Sequence, residues 1–196
     1  MKIVFAERRT LNDERYFRTK GIIPMAKPAP EYLPHSSGCF LCGDENPFGA
    51  RTRFFVQGDT VRTRLSLPQH HNGYKNIAHG GILAGLLDET MGWAATVFSR
   101  GHLFYVTGEL TVKYVFPVPV QTEIEIVGQL IKDGGRIAYC QGELLHQGKA
   151  CLRAKGKFIP LSQEATNEVI PYLKFDQCRK YRTLFDRNLR GSIALR

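Results

Sequence analysis

The stretch from Gly80 to Ser99 constrains the fold more than any other part of the chain, because its apolar residues cover most of a helical circumference. Ile82, Leu83, Leu86, Leu87, Met91, Trp93, Ala94, Ala95, Val97 and Phe98 leave no broad polar face, so this helix is predicted to be buried on most sides. Gly101 supplies a stop signal. The rest of the body reads as strand. Arg51 to Val56 and Val61 to Leu67 flank a hairpin turn at Gln57, Gly58, Asp59 and Thr60, and Pro68 ends that hairpin. Polar residues from Gln69 to Ala78 predict a loop. Leu103 to Val118 alternates, with Val106, Gly108, Leu110, Val112, Tyr114 and Phe116 on one face and Thr107, Glu109, Thr111 and Lys113 on the other. Thr122 to Ile131 and Arg136 to Leu145 form a hairpin around Asp133, Gly134 and Gly135, and Lys149 to Ile159 returns after Gln147 and Gly148. Hairpins around a single buried helix, joined by short connections, predict an α+β fold in which an antiparallel sheet wraps around one long central helix.

Two adjacent carboxylates, Asp88 and Glu89, interrupt that helix. An ionised group in an apolar setting is costly unless paired. The neighbours of Asp88 at helical spacing are Ala84, Gly85, Met91 and Gly92, so no cation lies within one turn and any partner has to come from a strand or a second subunit. Asp88 and Glu89 point about a hundred degrees apart around the axis and cannot serve one face equally. At the start of the helix stand His79, Gly80 and Gly81. A helix N-terminus offers unpaired N–H groups and the positive end of a dipole, and glycine lets a ligand atom approach the backbone, which suits an oxyanion on a thioester carbonyl.

The string from His70 to Glu89, HHNGYKNIAHGGILAGLLDE, resembles the signature of the phenylacetyl-CoA-type thioesterases of the hotdog superfamily. In that family an Asn- and Gly-containing loop leads to His-Gly-Gly, and an acidic residue follows nine positions after the His, which here is Asp88. Tyr105 to Pro117, YVTGELTVKYVFP, looks like the family's long strand ending in proline. The resemblance covers roughly Cys39 to Pro160 and implies a hotdog fold hydrolysing an acyl-CoA or aryl-CoA thioester. It implies that Asp88 is the catalytic general base or nucleophile, that the Gly80 N–H binds the oxyanion, and that His79 orients that turn or meets the thioester oxygen. By the same resemblance Asn72 and Thr107 hold the attacking water, with Asn76 competing for the role of Asn72. Gly81 and Glu89 join the substrate-binding surroundings. The family builds its sites between two subunits, so a homodimer or a dimer of dimers is implied. CoA carries several phosphates, for which Arg136 is the first candidate, followed by Lys155 and Lys157. No cofactor is expected beyond the CoA of the substrate. A hotdog hydratase or dehydratase, or a non-catalytic acyl-CoA-binding module, is the alternative on the same scaffold.

The flanks differ from the body in charge. Residues 1–35 hold seven Lys/Arg against four Asp/Glu, and residues 174–196 seven against two, so most of the net charge of +9 sits in the arms. The expected organisation is a basic, Pro-rich N-terminal arm over 1–38, the hotdog domain over 39–160, and a basic C-terminal extension over 161–196 with a helix around Gln177 to Arg187. Nothing resembles a nucleic-acid-reading motif. No apolar run approaches a membrane span and no secretory signal is visible, which predicts a cytoplasmic chain with its five cysteines reduced. Cys39 and Cys42 supply half of a tetrahedral zinc site with no second pair and only His35 as a further ligand nearby, so they are read as a structural turn, with no metal expected. Trp93, Phe98, Phe104 and Tyr105 either line a pocket or fill the core.

Overall fold

The computed structural model describes residues 30–100, 104–178 and 181–182. In chain order the elements are β1 (Glu31–Tyr32), β2 (His35–Ser36), β3 (Phe54–Gln57), β4 (Thr60–Ser66), β5 (Asn72–Tyr74), β6 (Ile77–Ala78) and α1 (Gly80–Phe98). There follow β7 (Tyr105–Tyr114), β8 (Glu123–Asp133), β9 (Ala138–His146), β10 (Lys149–Pro160), α2 (Gln163–Val169) and β11 (Leu173–Lys174). Seven strands form one antiparallel sheet in the order β1-β3-β4-β8-β9-β10-β7, and α1 packs across it. This is the expected α+β architecture, a sheet curled around one long helix. Among the described residues no helix is long and apolar enough to cross a membrane.

The hairpin register follows from local chemistry. Gln147 and Gly148, at φ 51° and 75°, make the two-residue left-handed turn between β9 and β10. Between β8 and β9, Asp133 Oδ1 accepts from the Gly135 N–H at 2.9 Å, and Gly135 takes φ 75°. Leu86, Leu87 and Met91 of α1 are fully buried, as are Ile124, Ile126, Leu144 and Leu152 of the sheet. Gly128 and Gly142 face each other across β8 and β9, where α1 lies against the sheet. A Cβ on Gly128 would stand 2.8 Å from the Thr90 carbonyl oxygen, and one on Gly142 would press on Met91 and Leu87. Gly128 lets helix backbone meet sheet backbone, and Gly142 leaves room for the Met91 and Leu87 side chains.

The structure departs from the sequence reading in four places. Gln69–His71 is a 3-10 turn and β5 pairs with β6 around Asn76, at φ 62°, where an irregular loop was expected. The described part of the Pro-rich arm joins the body: β1 extends the sheet beside β3, and β2 pairs with β11. Helix α2, capped by the Ser162 side chain, and β11 fold back so that Val169, Ile170 and Leu173 pack with Leu33, Phe54 and Trp93 on a second cluster. The fourth departure is in β7. Its register against β10 slips between Lys157 and Phe158, so Thr107 lies opposite the buried Phe158 while Glu109 lies opposite the exposed Lys157. This bulge breaks the expected alternation and turns Thr107 away from the face of Glu109, Thr111 and Lys113 toward the helix. Gly101 and most of the Gln177–Arg187 helix lie outside the described residues.

Candidate active site

Asp88 sits midway along α1, half-buried in the wall of a cavity of about 340 Å³. Leu41, Trp93, Phe104, Tyr105 and Phe158 supply apolar walls, so three of the four aromatic candidates that sequence left between pocket and core, Trp93, Phe104 and Tyr105, line the cavity, while Phe98 packs on the second cluster. The Thr107 hydroxyl donates to Asp88 Oδ1 at 2.8 Å and Oδ2 at 3.0 Å. Burial pushes the Asp88 carboxyl above the usual range, and the Thr107 bond pulls partly against it. The predicted partner from a strand is therefore Thr107, delivered by the bulge.

The His-Gly-Gly turn is ordered by its own side chains. His79 is the N-cap of α1 and its Nδ1 accepts from the Gly81 N–H at 3.0 Å. The Tyr114 hydroxyl donates to the Gly80 carbonyl at 2.8 Å, a contact the sequence did not suggest. Gly80 is the first residue of the helix, and its N–H has no acceptor among the described residues. Asn72 is exposed on β5 opposite Ala78, at this same end of the helix. His71 is buried, with Nε2 3.0 Å from the Phe48 carbonyl oxygen.

Within one chain these two groups stay apart. Gly80 and Asp88 are eight residues apart on one helix, about 12 Å along its axis. The structure thus unites Asp88 with Thr107, and His79, Gly80 and Gly81 with Asn72, but not the two sets. Arg136 is exposed in the β8–β9 turn, near the other end of α1, where Asp133 accepts from the Arg100 N–H. Lys155 projects from the sheet face opposite the helix, lining a groove with Arg62, Lys113 and Arg153. Neither converges on Asp88.

Glu89 turns to a different neighbour, the segment leading into β3. Cys39 Sγ lies 3.8 and 3.7 Å from its two carboxylate oxygens. Burial and the adjacent Cys39 sulfur raise the Glu89 carboxyl to about 8. The hydrogen bond from Cys42, joined by backbone N–H groups, holds Cys39 below the usual thiol range, while the same bond and burial push Cys42 far above it.

Comparison with known proteins agrees with the fold. Residues 75–152 match the model of the thioesterase superfamily. An uncharacterised protein of Schizosaccharomyces pombe is 34% identical over 97 residues, covering 46% of this chain and 54% of that one. The chain thus spans about half the length of the curated relative it matches. The crystal structure of a thioesterase superfamily protein shares 26% identity at a TM-score of 0.57, over 63% of this chain and 60% of that chain. Zebrafish thioesterase superfamily member 2 shares 19% identity at a TM-score of 0.52, over 57% and 83%, a likeness of fold alone. With its sheet wrapped around α1 and the matched segment at its centre, this chain has a hotdog-like fold, and its residues 75–152 are similar to the thioesterase superfamily.

Proposed function

We propose that this protein hydrolyses an acyl-CoA or aryl-CoA thioester to the free acid and CoA. The observation that carries this reading is a carboxylate, Asp88, held in an apolar-walled cavity with the Thr107 hydroxyl as its one hydrogen-bond donor among the described residues. A carboxylate that burial makes more basic is suited to take a proton from water. The resulting hydroxide attacks the thioester carbon, the carbonyl oxygen becomes an oxyanion, and the Gly80 N–H stabilises it. Collapse expels the CoA thiolate, which takes up the proton from Asp88. Direct attack by Asp88, giving a mixed anhydride that water then opens, uses the same placement.

The oxyanion donor belongs to a second copy. Strand β7 is bonded on one side only, to β10, leaving a ten-residue edge open among the described residues. Antiparallel pairing of two such edges about a twofold axis near the strand's middle sets Thr107 of one copy opposite the partner's residues from Val112 to Tyr114. Since Tyr114 holds Gly80, that pairing carries the partner's Gly80 to Asp88 and closes the 12 Å gap of about eight helical residues. Val106 and Tyr114, about half exposed on this strand, are covered by the same pairing.

The test is thiol release from short, long and aromatic acyl-CoAs by the wild type and by Asp88→Asn. A fall of roughly a hundredfold or more, with folding and CoA binding retained, is expected. A wild type that binds acyl-CoA and releases no thiol from any of them replaces hydrolysis with a binding role.

A further inference from the structure

Three ligand-type side chains that hydrolysis does not use meet where the segment before β3 crosses α1. The sulfurs of Cys39 and Cys42 and the carboxylate of Glu89 lie within 4.8 Å of one another. Cys39 Sγ stands 3.7 and 3.8 Å from the Glu89 oxygens. With Zn–S about 2.3 Å and Zn–O about 2.0–2.2 Å, the S···O edge of a tetrahedral shell is about 3.5–3.7 Å, so the edge from Cys39 to Glu89 already has about the length such a shell requires.

The turn is also built to hold thiolates. The Leu41 N–H donates to Cys39 Sγ at 3.3 Å, and the Gly43 N–H closes the turn on the Cys39 carbonyl at 2.9 Å. A side chain at Gly43 would collide with the carbonyl oxygens of Ser37 and Cys39, so the turn accepts only glycine there. Arg53 Nη1 donates to the Cys42 carbonyl at 2.6 Å and fixes the second cysteine. Leu41 packs on Gly85, one helical turn before Glu89, which seats the turn on the face that Glu89 occupies. The side chains that act most on Glu89 are those of Cys39, Cys42 and Trp93, none of them cationic.

We propose that Cys39, Cys42 and Glu89 bind a divalent metal ion of the zinc class, which clamps the Cys39–Gly43 turn to α1 in the wall of the Asp88 cavity. Two thiolates select a borderline-soft ion such as zinc over magnesium or calcium. The ligands bring three negative charges against two positive, and the protons they carry leave to solvent on binding. Three protein ligands leave the fourth tetrahedral corner to water. Sequence alone supplies half a site, and the fold adds Glu89 fifty residues away.

The test uses the full chain, grown with added zinc and purified under reducing conditions without chelator. About one zinc per chain is expected by inductively coupled plasma mass spectrometry, and the cobalt-substituted protein is expected to show a thiolate-to-cobalt charge-transfer band with tetrahedral d–d intensity. Cys39→Ser and Glu89→Gln are expected to weaken zinc by at least about tenfold in competition with a chromophoric chelator. A reduced wild type that retains no zinc and gives no such cobalt band overturns the site, whatever the variants do. Unchanged affinity in Glu89→Gln removes the carboxylate from it. Neither measurement depends on thioester hydrolysis.

Discussion

In the proposed hydrolysis, Thr107 and Asp88 form the smallest unit on which function depends. The threonine hydroxyl reaches both carboxylate oxygens, at 2.8 and 3.0 Å, and so sets the rotamer from which Asp88 addresses the cavity. Thr107→Val keeps the shape and removes the donor. A hydrogen bond to a charged group contributes about 1.5–3 kcal/mol, so kcat/KM for thioester hydrolysis is expected to fall roughly 10- to 150-fold. Thr107→Ser, which restores the hydroxyl, is expected to recover most of it. Equal rates for the valine and serine variants would leave the hydroxyl without a role. At this scale the sequence exposed Asp88 plainly, because a carboxylate in an apolar helix is anomalous on its own. It did not expose Tyr114 on Gly80 or Glu89 on Cys39, since both join segments far apart in the chain.

Among elements, α1 lies tight against the middle of β8 and β9. Gly128→Ala places a methyl 2.8 Å from the Thr90 carbonyl oxygen, where only backbone can give way. Forcing volume into a packed core costs about 1–3 kcal/mol, and each kcal/mol lowers Tm by about 2–4 °C in a chain of this size. Gly38→Ala, with nothing within 4 Å of the added carbon, is the control and is expected to change stability by no more than about 0.5 kcal/mol. Thermal unfolding of the two variants decides, and equal Tm values would mean that the helix does not rest on those glycines. The main elements were legible because their signals are local: the apolar periodicity of α1, and turn residues such as Gln147 and Gly148. The β7 bulge was not, because a period of two along one strand says nothing about the register of its neighbour. Helix α2 and the β2–β11 pair were missed for a related reason, since their short segments gain their order from the second cluster rather than from their own propensity.

For the whole molecule, the distance between Gly80 and Asp88 makes assembly and activity one question. If each site takes its carboxylate from one chain and its oxyanion donor from the other, two differently damaged chains restore each other. Asp88→Asn removes the carboxylate. Gly80→Pro removes the N–H while keeping a residue that the first helical position tolerates. His79, at φ −64° and ψ 126°, already has the extended conformation that a following proline requires. The added carbon meets the Tyr114 ring at 3.3 Å, so circular dichroism and chain mass accompany the assay. Each variant alone is expected to be inactive. In a dimer holding one of each, one interface carries both defects and the other carries none. Random reassortment makes half of the dimers mixed, so the mixture is expected to regain roughly a quarter of wild-type activity. A mixture as inactive as its components, with mixed dimers demonstrated by mass, would mean that each chain completes its own site. That outcome would require a donor other than Gly80 within reach of Asp88 along the same chain.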